Sequence, residues 1–337
     1  MTQLAFGGET GRARESTVTP PRDGIVEFLK ASWNTRTAAG LVVLAILGGL
    51  LVPGFLTADS AGAAGVHYYL VLGGSEAEGY QPTGSVSGGA PTEHGYDQDL
   101  VDDLHSRLPG LQLKDMGCPA ESTRTMVEGS GLCHPAAGSQ LAEAVEFLHA
   151  HRDQVPLVTI DIGFNDIAPC LYNVTTIDSA CVAQGIAQMK QYLPTILSEL
   201  KAAVDRSTVV IGLTHYNPLL GDYLHSGSEA LASESIGAIN QLNSTLVGLY
   251  AEYHIPVANV AAAFDTIDTS RVSDGLRGLI PKSVADICEY TFVCDGPVNG
   301  NYAHPTDGGY HLIASTIEHE LDLADLPDIE SAVSRGA

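Results

Sequence analysis

Five apolar runs, separated by stretches of helical periodicity, constrain this chain more than any other feature. Residues 66–72 (VHYYLVL), 111–114, 155–162 (VPLVTIDI), 207–213 (STVVIGL) and 255–262 read as strands. The third and fourth are continuous and apolar rather than alternating, as in strands buried on both faces of a parallel sheet. Helices are expected at 96–108, where Leu100, Val101, Leu104 and Leu108 share a face, and at 140–151, carrying Ala142, Val145, Phe147 and Leu148. Further helices are expected at 185–204, notched by Pro194, at 229–254 and at 309–323. Strands alternating with helices imply βαβ units. The expected fold is α/β, with helices in layers on both faces of a mostly parallel central sheet. Residues 75–94 and 265–303 are left as long irregular stretches. No composition break divides residues 66–337, so they are expected to form one domain.

The N-terminus is a different kind of sequence. Residues 1–36 mix five basic groups with four acidic ones, and then no charge appears until Asp59. The intervening run, residues 37–58 (TAAGLVVLAILGGLLVPGFLTA), is long enough to cross a bilayer as a helix. Two readings remain open. One is the apolar core of a secretory signal, with Ala61-Gly62-Ala63 as the small-residue cleavage site. The other is an uncleaved anchor with its basic flank inside the cell. Both send the rest of the chain out of the cytoplasm, so the expected location is extracellular, secreted or anchored by this segment. Contact with membrane is expected only through it.

The cysteines agree with export. All six (Cys118, Cys133, Cys170, Cys181, Cys288 and Cys294) follow the apolar run, and an even count in an exported domain suggests disulfides. Pairing sequence neighbours, 118 with 133, 170 with 181 and 288 with 294, is the economical arrangement among the alternatives. The absence of a CxxC pair argues against zinc, and no metal or other cofactor is expected. Beyond residue 36 the chain carries 11 basic and 36 acidic groups. Such a surface excludes nucleic acid as a partner, because phosphate binding needs clustered Lys and Arg. A monomer is expected.

Ligands of open α/β sheets gather at the carboxyl ends of the strands, so the polar residues that follow the strands matter most. Ser75 follows the first strand, in LGGSEAEGY; Gly117 follows the second, in KDMGCPAES; Asn165 follows the third, in DIGFNDI. His304 precedes the last helix, in NYAHPTDGGYHLIA. Each alone is an ordinary turn, cap or loop residue. His215 and Tyr216 follow the fourth strand and are equally readable as cleft lining or as filler. Asn173-Val174-Thr175 and Asn243-Ser244-Thr245 match the short glycosylation acceptor pattern, which often matches by chance.

The order Ser, Gly, Asn, His resembles the SGNH (GDSL-type) hydrolase family, over residues 68–314. The resemblance rests on Gly73-Gly74-Ser75 with Gly79-Tyr80, on Gly117, on Gly163-Phe164-Asn165-Asp166, and on His304-Pro305 with Gly309-Tyr310. The text around Gly117 is similar to exported actinobacterial members. The resemblance implies a flavodoxin-like SGNH hydrolase fold and a serine esterase or lipase. Ser75 would be the nucleophile and His304 its general base. The Ser75 and Gly117 backbone N–H groups and the Asn165 amide would form the oxyanion hole. Substrates would be small-molecule, lipid or acylated-glycan esters.

Two departures from the family pattern stand out. Gly74 replaces the Asp of the first block, and Asn301 replaces the Asp that orients the histidine. Asn301 itself, or Asp295 from the same loop, is the candidate to hold the imidazole. The alternative reading is a weakened or inactive member that binds extracellular glycan or lipid.

Overall fold

The computed structural model describes residues 65–83, 88–133, 135–225, 228–296 and 300–323, without the side chains of Asn301 and Leu323. The leader at 1–36, the apolar run at 37–58 and the Ala61-Gly62-Ala63 site lie outside the described residues. Among the described residues no helix is long and apolar enough to cross a membrane.

In chain order the strands are β1 (His67–Gly73), β2 (Gln81–Pro82), β3 (Gly89–Ala90), β4 (Leu111–Asp115), β5 (Leu157–Asp161), β6 (Val209–Leu213), β7 (Val257–Ala258), β8 (Arg271–Asp274) and β9 (Gly278–Pro281). The α-helices are α1 (Tyr96–Leu104), α2 (Thr123–Glu128), α3 (Gln140–Ala150), α4 (Phe164–Ile167), α5 (Ser179–Ala203), α6 (Glu229–Glu252), α7 (Val260–Ala263), α8 (Lys282–Tyr290) and α9 (Asp307–Leu323). The central sheet has the order β4-β1-β5-β6-β7. Its strand pairs are parallel throughout, with Tyr69 opposite Leu157 and Gly73 opposite Asp161 in the middle.

Side chains alternate across a strand, and here the alternation separates two cores. Leu70 and Leu72 of β1 pack with Met126, Leu141, Ile186 and Leu242, from α2, α3, α5 and α6. Tyr69 and Val71 of the same strand pack with Leu100, Val284 and Ile313, from α1, α8 and α9. The sheet is therefore covered on both faces, as its unbroken apolar strands require, and the three-layer α/β expectation holds.

The structure departs from the sequence reading where local capping overrides apolar character. The fifth strand is only two residues long. Asn259 then accepts a hydrogen bond from the Ala262 N–H and turns the chain into α7. α5 starts at Ser179, six residues before the expected position, because the Asp178 side chain caps it. The stretch 265–303, expected to be irregular, contains the β8–β9 hairpin and α8. The three expected disulfides, Cys118–Cys133, Cys170–Cys181 and Cys288–Cys294, are formed.

Candidate active site

Ser75 stands where β1 ends. The chain reaches it through Gly73, whose φ of +143° and closeness to the Asp161 carbonyl (2.1 Å from an ideal Cβ) leave room for no side chain. The Gly73 peptide is held on both sides by one side chain. Gln140 of α3 accepts from the Gly73 N–H at 2.9 Å, and its amide donates to the Gly73 carbonyl at 3.0 Å. The Gly74 N–H donates to the Asp161 carbonyl at 3.0 Å. Ser75 itself opens a 3-10 turn over Glu76–Glu78.

His304 arrives from the far end of the chain. Its Nε2 lies 2.7 Å from Ser75 Oγ, across 229 residues of sequence. The Glu76 carboxylate is a second, longer acceptor for the serine hydroxyl, at 3.3 Å. The imidazole is buried and lies 4.9 Å from the Tyr80 ring. Its backbone is anchored twice. The His304 carbonyl accepts from the Phe292 N–H, and Tyr216 Oη donates to the carbonyl of Ala303 at 2.8 Å. The Cys288–Cys294 disulfide closes the segment that carries Phe292. Of the two residues expected to orient the imidazole, Asp295 is exposed at the end of the 292–294 turn, and the Asn301 side chain lies outside the described part.

Asn165 sits in the first turn of α4, directly after β5. Its Nδ2 donates to the Glu121 carbonyl at 3.0 Å, and an amide nitrogen carries two hydrogens, so one donor remains. The next residue ties this turn to the loop opposite. Asp166 accepts from the Thr123 N–H at 2.9 Å, from Thr123 Oγ1 at 2.6 Å and from Gln188 Nε2 at 3.0 Å. Burial pushes the Asp166 carboxyl upward, and these hydrogen bonds pull it back. An ideal Cβ at Gly74 would lie 3.1 Å from Asn165 Nδ2, so a larger residue there would press on the amide.

Ser75, Asn165 and His304 line one cavity of about 190 Å³, together with Glu76, Tyr80, Pro119, Ala120, Phe164, Tyr172 and Ala303. Gly117 is not among them. Its N–H donates to the Asp115 carboxylate at 2.6 Å, and it lines a neighbouring cavity. The residues of that loop that line the Ser75 cavity are Pro119 and Ala120. Ala120 has φ of +59°, a conformation that favours glycine. Among the described residues, neither the Ala120 nor the Ser75 N–H donates to a protein acceptor. No signal in the sequence singles out Ala120, because an alanine does not announce a left-handed backbone.

His215 and Tyr216 line none of this cavity. His215 is buried behind it, with Nδ1 3.4 Å from the Asp161 carboxylate and Nε2 3.1 Å from the Ile162 carbonyl. Burial lowers the imidazole and raises the Asp161 carboxyl. Asn243 grips the His215 backbone on both sides, accepting from its N–H and donating to its carbonyl, each at 2.8 Å.

The GDSL-like lipase/acylhydrolase family model matches residues 69–317. No curated protein sequence matches the chain. Among solved structures, the chain is similar to phospholipase A1 from Streptomyces albidoflavus NA297, at 16% identity and a TM-score of 0.47, covering 76% of this chain and 100% of that one. It is also similar to an extracellular lipase from Streptomyces rimosus, at 18% identity and a TM-score of 0.48, with the same coverage. A third is Est24, a carbohydrate acetylesterase from Sinorhizobium meliloti, at 12% identity and a TM-score of 0.44, covering 77% of this chain and 100% of that one.

Proposed function

We propose that this chain, which belongs to the GDSL-like lipase/acylhydrolase family, is an exported serine esterase or lipase that hydrolyses carboxylic esters through an acyl-enzyme on Ser75. The observation that carries the reading is the 2.7 Å contact between Ser75 Oγ and His304 Nε2 at the wall of a cavity. A serine hydroxyl is a weak nucleophile until a base takes its proton, and imidazole titrates near neutrality. His304 Nε2 accepts the Ser75 proton as Oγ attacks the ester carbonyl. The resulting oxyanion takes hydrogen bonds from the Ser75 and Ala120 N–H groups and from the second hydrogen of Asn165 Nδ2. The protonated His304 then gives its proton to the departing alcohol. Water, activated by His304 in turn, releases the acid and restores the serine. Asn301 and Asp295 are the candidates to orient the imidazole.

The cavity's volume, about 190 Å³, suits a short acyl chain against Phe164 and Tyr172. Three disulfides, all beyond the N-terminal apolar run, support an oxidising location outside the cytoplasm. The test is a fluorophosphonate label on the purified protein. Covalent labelling at Ser75, with p-nitrophenyl acetate turnover lost in both Ser75→Ala and His304→Ala, is the expected result. An unlabelled Ser75, or turnover that survives Ser75→Ala, refutes the reading. An unlabelled protein that turns over no ester would favour a binding role for glycan or lipid.

A further inference from the structure

Glu76 follows the serine directly, is half-buried, and lines the Ser75 cavity. Its Oε2 lies 3.3 Å from Ser75 Oγ, and its Oε1 lies 3.5 Å from Tyr216 Oη. Each of those hydroxyls carries one hydrogen, and each has a nearer partner. Ser75 Oγ is 2.7 Å from His304 Nε2, and Tyr216 Oη donates to the Ala303 carbonyl at 2.8 Å. When Ser75 donates to His304, the Glu76 carboxylate is left without a donor. Among the described residues, no Lys, Arg or His pairs with it. Among the described residues lining the cavity, Glu76 is the only carboxylate, and none is Lys or Arg.

The same distances say where the carboxylate stands. Tyr216 Oη touches both Glu76 and the carbonyl of the residue before His304, so Glu76 lies between the serine and the His304 segment. In ester hydrolysis the departing alcohol takes its proton from the histidine, so the alcohol part has to lie on this side. The Tyr80 ring, 4.9 Å from the imidazole, lines the cavity here as well. Burial first, and then the charge of Glu76, push the Tyr172 and Tyr216 phenols upward. The charge is therefore felt across the cavity wall, where Tyr172 stands.

We infer that Glu76 selects esters whose alcohol part carries a protonated amine, with the ammonium N–H donating to the carboxylate beside the Tyr80 ring. The inference rests on the esterase reading above. A half-buried carboxylate without a donor is costly, and a cationic donor removes the cost through a charge-assisted hydrogen bond. A cation over an aromatic ring gains further. The same charge repels an anionic alcohol. The bond broken is the one between the acyl carbon and the ester oxygen. Water supplies the new oxygen of the acid, and the amino alcohol leaves with the proton from His304 on its oxygen.

The test compares 2-(dimethylamino)ethyl acetate, protonated at neutral pH, with 3-methylbutyl acetate, its uncharged carbon counterpart. On the full-length protein, and after division by each ester's uncatalysed hydrolysis rate, kcat/KM is expected to favour the amino ester by about tenfold. Glu76→Gln should erase most of that ratio, Glu76→Asp should keep part of it, and Tyr80→Leu should lower it severalfold. Ligand-observed NMR with the two free alcohols reads the same preference without turnover. 2-(Dimethylamino)ethanol is expected to bind more tightly than 3-methylbutanol, and the difference should vanish in Glu76→Gln. This arm separates the two readings: a protein that hydrolyses neither ester, yet binds the amino alcohol through Glu76, refutes the hydrolysis and keeps the selection. If thermal unfolding shows that Glu76→Gln does not fold, Tyr80→Leu takes its place, and an unchanged preference in it overturns the assignment. So do equal kcat/KM values for the two esters, equal binding of the two alcohols, or a folded Glu76→Gln that loses activity on both esters in the same proportion. The last result would make the carboxylate a partner of the imidazole instead.

Discussion

Replacing Asp97 with Asn should remove a neutral-pH weakness that the fold builds in beside Ser75. Asp97, in the first turn of α1, is 5% exposed, and its Oδ1 is buried without a partner. Burial first, and then the charge of Asp115, push its carboxyl up to about 7. Glu78, on the same turn as Ser75, is likewise pushed up to about 7, by burial and then by Asp115 and Asp97. A carboxyl whose pKa is raised on folding binds its proton more tightly in the native state. Its contribution to stability is fully present below the unfolded value near 4 and is lost as pH rises to about 7. For Asp97 the difference is about three pH units at about 1.36 kcal/mol each, a ceiling of about 4 kcal/mol. Glu78 faces the same neighbours, so its share does not simply add. At about pH 3, below the unfolded value, Asp97→Asn should match the wild type, because the amide imitates an acid that is protonated in both states. At about pH 8.5 it should be more stable by about 2–4 kcal/mol, or about 4–8 °C in Tm for a domain of this size. Urea unfolding at the two pH values measures both arms. If wild type and variant lose the same stability between the two pH values, the carboxylate cluster is not the cause and the reasoning fails.

Asn165→Ala should lower kcat by about 10²–10³ with a smaller change in KM, since an oxyanion donor acts mainly in the transition state; steady-state kinetics on a short p-nitrophenyl ester would measure it. Gln140→Leu leaves the buried Gly73 N–H without its acceptor, while the Gly73 carbonyl keeps the Cys118 N–H. It should cost about 1–3 kcal/mol, read by denaturant midpoint, and should slow labelling of Ser75 by a fluorophosphonate. Expressed in a host that glycosylates, the chain should carry glycan at Asn173, which is exposed, and none at Asn243, whose amide is buried against the His215 backbone; peptide mass mapping would decide. The Cys170→Ser/Cys181→Ser double variant should lose about 2–4 kcal/mol, measured by thermal unfolding against the wild type under non-reducing conditions.

Much of the architecture was legible in the sequence because its cause is local. An apolar run such as VPLVTIDI has to be covered on both faces, whatever the rest of the chain does, and helical spacing supplies the cover. The neighbouring cysteines could pair early because short loops bring them together. The failures were also local in origin. The 255–262 run is apolar enough for a strand, yet one asparagine at 259 caps a helix and ends the strand after two residues. The helix and hairpin within 265–303 are short, with 9 residues in α8 and 4 in each strand, and do not stand out from a loop.

The sequence by itself determined the parallel sheet, the carboxyl ends where chemistry would gather, and the order of serine, asparagine and histidine along them. Tertiary structure alone decided which groups meet. Ser75 and His304 are 229 residues apart, and only the packing of α9 against β1 and the anchoring of His304 by Phe292 and Tyr216 set Nε2 at 2.7 Å from Oγ. That Ala120, and not Gly117, lines the Ser75 cavity was equally invisible. Gly117 has the permissive residue type, but its N–H is taken by the carboxylate two residues before it. Ala120 lines the Ser75 cavity in a left-handed backbone, in a loop tied across 43 residues through Thr123 to Asp166. A residue's type says which conformations are cheap; which N–H faces the serine depends on hydrogen bonds to parts of the chain that are distant in sequence.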